Sequence, residues 1–164
     1  MIKIRECALL IVLIHFFSWS YASSTHIDRK KYYAVLASNN ELEIDKMLTA
    51  LQSESVRSEV NAYQATLWMK KANFEKSIAA KVKLFKKGAL DLDHEIETYP
   101  ENAEYRFLRL TIQEHAPAIL KYNKQKEVDK KVIVSKFKTL DKTIRTVIED
   151  YAASSKTLKK SELP

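Results

Sequence analysis

Gly88 is the only glycine in 164 residues, and the prolines are Pro100, Pro117 and the terminal Pro164. Hairpins and sheet corners depend on Gly, Asn-Gly or Asp-Gly turns, and neither dipeptide occurs in this chain. Lys, Glu, Leu and Ala are abundant, and all are strong helix formers. The expected fold is therefore all-α, with about six or seven helices stacked as antiparallel hairpins.

Apolar residues recurring at steps of three and four mark the elements. Residues 27–37 and 42–51 form a short pair separated by Asn39 and Asn40, which can cap or turn. Val56, Val60, Tyr63 and Leu67 run through a helix over residues 55–72, with Ala65, Trp68 and Ala72 as a second stripe. Two stripes imply burial on two sides, which places this helix at the centre. Ile78, Val82, Phe85, Ala89, Leu92 and Ile96 give the strongest periodic signal, over residues 77–98. Tyr99-Pro100 ends it, because proline disfavours the helical conformation in the residue before it. A fifth helix starts near residues 100–102 and carries Ala103, Phe107 and Leu110 beside Tyr105, Leu108 and Ile112. A link over residues 117–122 follows. From Ile133 onward Phe137, Leu140, Ile144, Val147 and Tyr151 alternate again, either as one rod or with a break near residues 139–141, where Asp141 can cap a new helix. The core should centre on Val60, Tyr63, Leu67, Val82, Phe85, Ala89, Leu92, Phe107 and Leu110, with Gly88 at a close helix contact that a larger side chain would force apart. Residues 154–164 are polar and are expected to be a flexible tail.

Residues 7–17 (CALLIVLIHFF) are almost wholly apolar, behind Lys3 and Arg5 and ahead of Ser20-Tyr21-Ala22. A basic start, a short apolar stretch and small residues before a cut make a secretory signal peptide, with cleavage expected after Ala22. The alternative, an N-terminal membrane anchor, needs about 20 predominantly apolar residues, and the run is shorter than that. Residues 1–22 are thus read as a signal peptide and residues 23–153 as one helical domain, exported to the periplasm or secreted. The single cysteine, Cys7, lies within the signal, so the processed chain has no thiol and must be stabilised by packing.

The formal net charge is +7, and loss of residues 1–22 lowers it by one. Such an excess suits acidic partners, but lysine dominates it, and lysine serves solubility as readily as recognition. Anionic surfaces or acidic proteins of the cell envelope are the expected partners, ahead of nucleic acid. Lysines precede carboxylates along the fourth helix: Lys81, Lys83, Lys86 and Lys87, then Asp91, Asp93, Glu95 and Glu97. One reading makes these blocks solvated faces. The other joins Lys81, Lys83, Lys86 and Lys87 with Lys130 and Lys131 in a basic groove for an anionic partner. Arg106 and Arg109, one turn apart between two apolar lines, suit either a ligand or a neighbouring carboxylate. Trp68 is most simply a core anchor, His94 and His115 surface or capping residues. Tyr32-Tyr33 could form an aromatic edge for a partner.

Catalytic chemistry finds little support. His26, His94 and His115 are not spaced as a zinc helix motif, and the group Asp91, Asp93, His94, Glu95 and Glu97 points in several directions on a helix. One glycine cannot build a phosphate loop, and no nucleophile elbow is present. A pair of carboxylates from distant positions, acting on a sugar, is the enzyme alternative. No metal, cofactor or catalytic residue is assigned.

Residues 83–92 (KLFKKGALDL), 96–103 (IETYPENA) and 104–110 (EYRFLRL) resemble a group of small exported proteins of Bacteroidota with tetratricopeptide-like helices and no assigned activity. Residues 117–123 and Asp129-Lys130-Lys131 extend the likeness, which covers about residues 63–150. It implies a bacterial source, a short tetratricopeptide-like array and an extracytoplasmic scaffold or adaptor. Gly88, Leu92 and Pro100 suit the second helix of such a unit, whereas Glu95 stands where a second small residue is usual and no repeat of about 34 residues is found. The leading expectation is a non-enzymatic adaptor that binds another protein in the cell envelope. The alternatives are a binder of anionic lipid or envelope polymer through the lysine-rich helices, and a small helical hydrolase.

Overall fold

The computed structural model describes residues 27–164, so the signal-peptide reading of residues 1–22 lies outside the described residues. Among the described residues there are seven α-helices and no strand. They are α1 (Arg29–Ala37), α2 (Glu41–Gln52), α3 (Ser58–Lys71), α4 (Ile78–Thr98), α5 (Ala103–His115), α6 (Lys126–Lys136) and α7 (Lys142–Ala152), with 3-10 turns at Ala72–Phe74, Ala118–Leu120, Phe137–Thr139 and Lys160–Glu162. No helix among them is long and apolar enough to cross a membrane.

Short polar side chains start most of these helices by accepting the backbone N–H groups that the first turn leaves unpaired. Asp28 accepts from Lys31 N at 3.0 Å, Ser77 from Ala80 N at 3.1 Å, and Asn102 from Glu104 N and Tyr105 N at 3.0 and 3.1 Å. Asn40 caps α2 and Asp141 caps α7, the latter accepting from Ile144 N at 3.0 Å. The last apolar stretch is therefore two helices, broken by the Phe137–Thr139 turn where Asp141 opens the second.

Helix α3 lies at the centre. It packs on α1, α2, α4 and α5, while α6 rests on α5 and α7 returns to α1. Val60, Ala62, Tyr63, Ala65, Thr66, Leu67 and Met69 are all buried along it, so both of its stripes face neighbours. The closest approach is to α4 at Gly88. A Cβ there would fall against the Ala65 carbonyl oxygen and 2.8 Å from Met69 Cγ, so only glycine lets the two backbones meet. Buried apolar residues from Ile27 to Leu158 form one cluster. Eight of the nine expected core residues belong to it, and Val82 is the exception, being partly exposed.

Several expectations are corrected. Val56 is 88 % exposed and precedes α3, which starts at Ser58, and Ile78 is 81 % exposed at the first position of α4. Both continue a periodic pattern past the point where the helix meets a neighbour. Helix α6 begins at Lys126, earlier than the apolar pattern from Ile133 suggests, because the residue it buries in its first turn is Asp129. Tyr32 and Tyr33 are not an open edge; both are buried, Tyr32 stacked on Tyr63 with ring centroids 4.0 Å apart. Residues 154–164 are not a frayed tail either. Leu158 is fully buried, Ser155 and Thr157 are buried beside it, and the Lys160–Glu162 turn closes on Lys159.

Candidate functional site

A cavity of about 630 Å³ lies among the described helices. Seven segments wall it: α1 with Tyr33 and Ala37, the end of α3 with Met69 and Lys70, the Ala72–Phe74 turn with Asn73, the first half of α4 with Val82 and Phe85, α5 with Phe107 and Ile112, the link after α5 with Ile119 and Leu120, and α7 with Val147 and Tyr151. The opening of the space follows from sequence. Ile78 and Val82 continue the apolar face of α4 beyond the part that α3 covers. Pro117 ends α5 and forces the chain into the Ala118–Leu120 turn, whose Ile119 is 86 % exposed.

Two tyrosines of the wall are fixed from behind. The Tyr33 hydroxyl donates to Glu104 Oε1 at 3.1 Å, and Tyr63 donates to the same oxygen. Burial pushes the Glu104 carboxyl above its ordinary value, an effect partly offset by those hydroxyls and by the Arg29 guanidinium 3.5 Å away. The Tyr151 hydroxyl donates to Glu114, which also accepts from Ser155 Oγ at 2.8 Å and from the backbone N–H of Thr157 at 2.6 Å. Burial acts to raise Glu114, but these hydrogen bonds outweigh it and leave its pKa below the ordinary value. The aromatic wall is thus preformed, each phenol holding a buried or half-buried acceptor.

Charge at the cavity is unequal. Lys30, Lys70 and Lys81 border it, with His115 nearby, against a single carboxylate among the described lining residues, Asp150. Lys81 Nζ donates to the Asn73 carbonyl at 3.0 Å. Lys70 is half-buried, and desolvation lowers its pKa below the ordinary value.

Comparison with protein-family models, curated proteins and solved structures gives no match.

The residues singled out in the sequence fall into three places. Lys81 alone of the six lysines borders the cavity; Lys83, Lys86 and Lys87 are exposed on α4, and Lys87 pairs with Asp91 at 2.6 Å. Lys130, on α6, pairs with Glu127 and Glu162, both at 3.1 Å, while Lys131 is exposed. Arg106 and Arg109 bind protein groups. Arg109 donates to both oxygens of the fully buried Asp129, at 2.6 and 2.8 Å, and to Asp93 at 3.0 Å; Arg106 donates to the Pro100 carbonyl and to Asp129. Gln113 completes the cluster at 2.6 Å from Asp129 Oδ2. Trp68 is only partly buried and borders a smaller, more polar hollow with Gln64, Lys87 and His94, and Gly88 sits at the α3–α4 contact. Sequence reasoning missed Lys70 and Tyr151 as site residues and set Tyr33 on an exposed edge, whereas it lines the cavity. The apolar face of α4 extending to Ile78 and the Pro117 break are the local signals that could have pointed there, but in sequence they mark only a helix stripe and a helix end.

Proposed function

We propose that this chain is an exported, non-enzymatic binding protein that holds an apolar small molecule in the cavity between α1, α4, α5 and α7. The observation that carries the reading is the cavity itself. Its volume of about 630 Å³ lies in the range of small-molecule sites, ~300–1,000 Å³, and its walls are aliphatic and aromatic with a few polar groups at the border. The helices are read as hairpins stacked in a short tetratricopeptide-like array, and the leader reading supplies the export. The cavity offers one carboxylate, Asp150, whereas sugar hydrolysis by the usual route employs two, which favours binding over a hydrolase.

An adaptor for a large envelope protein is less well supported by this geometry. The exposed apolar residues away from the cavity, Leu42, Val56, Leu90, Tyr99 and Val128, are scattered over α2, the α2–α3 link, α4, the α4–α5 link and α6. A charge-driven polymer binder draws on lysines several of which already face carboxylates, as Lys87 and Lys130 do. Such interleaving suits an ordinary soluble surface.

Titration with the uncharged dye Nile red tests the reading. Saturable one-to-one binding is expected, abolished in Val82→Trp, which fills the space, and kept in Leu90→Trp on the exposed side of the same helix. Equal binding by both variants would remove the cavity as the site.

A further inference from the structure

We propose that the ligand of the cavity is a single-chain aliphatic carboxylate, with its chain between α4 and α5 and its head group paired to Lys70. The proposal rests on the reading of the cavity as a small-molecule site and adds the class of molecule. Positive groups outnumber negative ones at the border, so an anion is favoured over a cation there. Among the three lysines, Lys70 is the one whose burial asks for a counter-ion. Lys30 is exposed and solvated, and Lys81 already donates to a backbone carbonyl. Lys71, next to Lys70 on α3, pairs with Asp45, but among the described residues no carboxylate pairs with Lys70. A half-buried ammonium loses hydration without a compensating charge, and this desolvation holds the Lys70 pKa below its ordinary value. An anionic head group supplies that charge, and a compact ammonium suits a single carboxylate as well as it suits any anion.

The remainder of the site fits the other end of such a molecule. Val82, Phe85, Phe107 and Ile112 present no charge to a chain lying between them. The exposed side chains of Ile78 and Ile119 flank the border and give an apolar path inward. Each methylene taken from water into such walls raises affinity roughly fourfold, so chain length should count until the cavity is filled.

The experiment is displacement of bound Nile red from protein expressed from the full-length sequence, using dodecanoate, dodecanol and dodecylammonium below their micellar concentrations. Dodecanoate is expected to bind at least about tenfold more tightly than dodecanol, as a charge-assisted contact implies, with dodecylammonium weakest. In Lys70→Gln the ratio of the acid and alcohol displacement constants should fall to within about threefold whatever the dye's own affinity, and Lys70→Arg should retain the preference. Equal affinity for acid and alcohol in the wild type, or an acid preference that survives Lys70→Gln, overturns the head-group assignment and leaves the cavity reading standing. Failure of the dye itself to bind overturns that earlier reading. Should Lys70→Gln not fold, the wild-type ratio and Lys70→Arg still decide the matter.

Discussion

Glu114 on α5 accepts the backbone N–H of Thr157 at 2.6 Å, tying the last residues of the chain to the middle of the fold. With Tyr151 and Ser155 donating to the same carboxylate, the segment after α7 is held before it turns Leu158 into the core. The wall of the cavity on the α7 side depends on this joint.

Leu158→Ala should therefore destabilise as a core truncation does. A fully buried leucine costs about 2–5 kcal/mol on replacement by alanine, and a chain of this size loses ~2–4 °C of melting temperature per kcal/mol. Thermal denaturation followed by circular dichroism should show a fall of roughly 4–20 °C. A shift within about 1 °C would mean that the segment frays, as its polarity alone suggests.

The pH dependence of the joint has a definite sign. Glu114 has a folded pKa below its ordinary value of 4.5, so the unfolded chain binds more protons between the two values and stability rises with pH there. Its contribution is present above about pH 4.5 and is lost as pH falls through the folded value. The stability gap between wild type and Glu114→Gln, measured by urea unfolding, should be widest near neutrality and shrink below pH 4.5. Glu104 runs the other way, because burial raises its pKa. The folded chain binds more protons there, so wild type should gain on Glu104→Gln as pH falls from neutrality through that raised value. Gaps that stay flat with pH for both variants would contradict the assignments.

Gly88→Ala should cost stability although alanine is the better helix former. The propensity gain is about 1 kcal/mol, against about 1–3 kcal/mol or more for forcing a side chain into a packed interface. The obstruction here is the Ala65 backbone, which cannot swing aside as a flexible side chain could. Gly88→Leu should lose more than Gly88→Ala. Equal or higher melting temperatures for either variant would remove Gly88 from the α3–α4 contact.

Asp129→Asn should be among the most damaging single changes. Asp129 is fully buried and receives Arg106, Arg109 and Gln113, so neutralising it leaves buried guanidinium charge with Asp93 as its remaining acidic partner. Breaking a buried pair from one side typically costs about 3–5 kcal/mol. Asp129→Leu combined with Arg109→Met should recover part of that loss, since it removes the most buried charge pair, while Arg106 and Gln113 still lose their acceptor. A double variant as unstable as the sum of its parts would contradict a simple ion-pair account.

Features that depend on neighbours in sequence were legible, and features assembled from afar were not. Gly88, the Asp141 cap, the Pro100 and Pro117 breaks and the two stripes of α3 are local, and each led to the right element. Glu104 looks like any surface glutamate on a helix; its tyrosine partners stand 41 and 71 positions earlier. Asp129 opens a helix in polar company, and only the arrival of Arg109, 20 positions away, makes its burial tolerable. Leu158 is a lone apolar residue in a polar stretch, so periodicity says nothing of it. The cavity draws on seven segments, and Lys70, the charge proposed to meet the ligand, looks in sequence like the lysines around it; its half-burial without an acidic partner among the described residues is visible only in the fold.

Intermolecular nuclear Overhauser effects between Nile red and assigned methyl groups test the central claim most directly, because they report where an apolar molecule rests. The account predicts contacts to Val82, Ile112 and Val147, whose side chains wall the cavity, and none to Leu42 or Leu90 on the exposed surface. Contacts confined to Leu42, Leu90 or other surface methyls, with the cavity methyls unaffected at saturation, would contradict it.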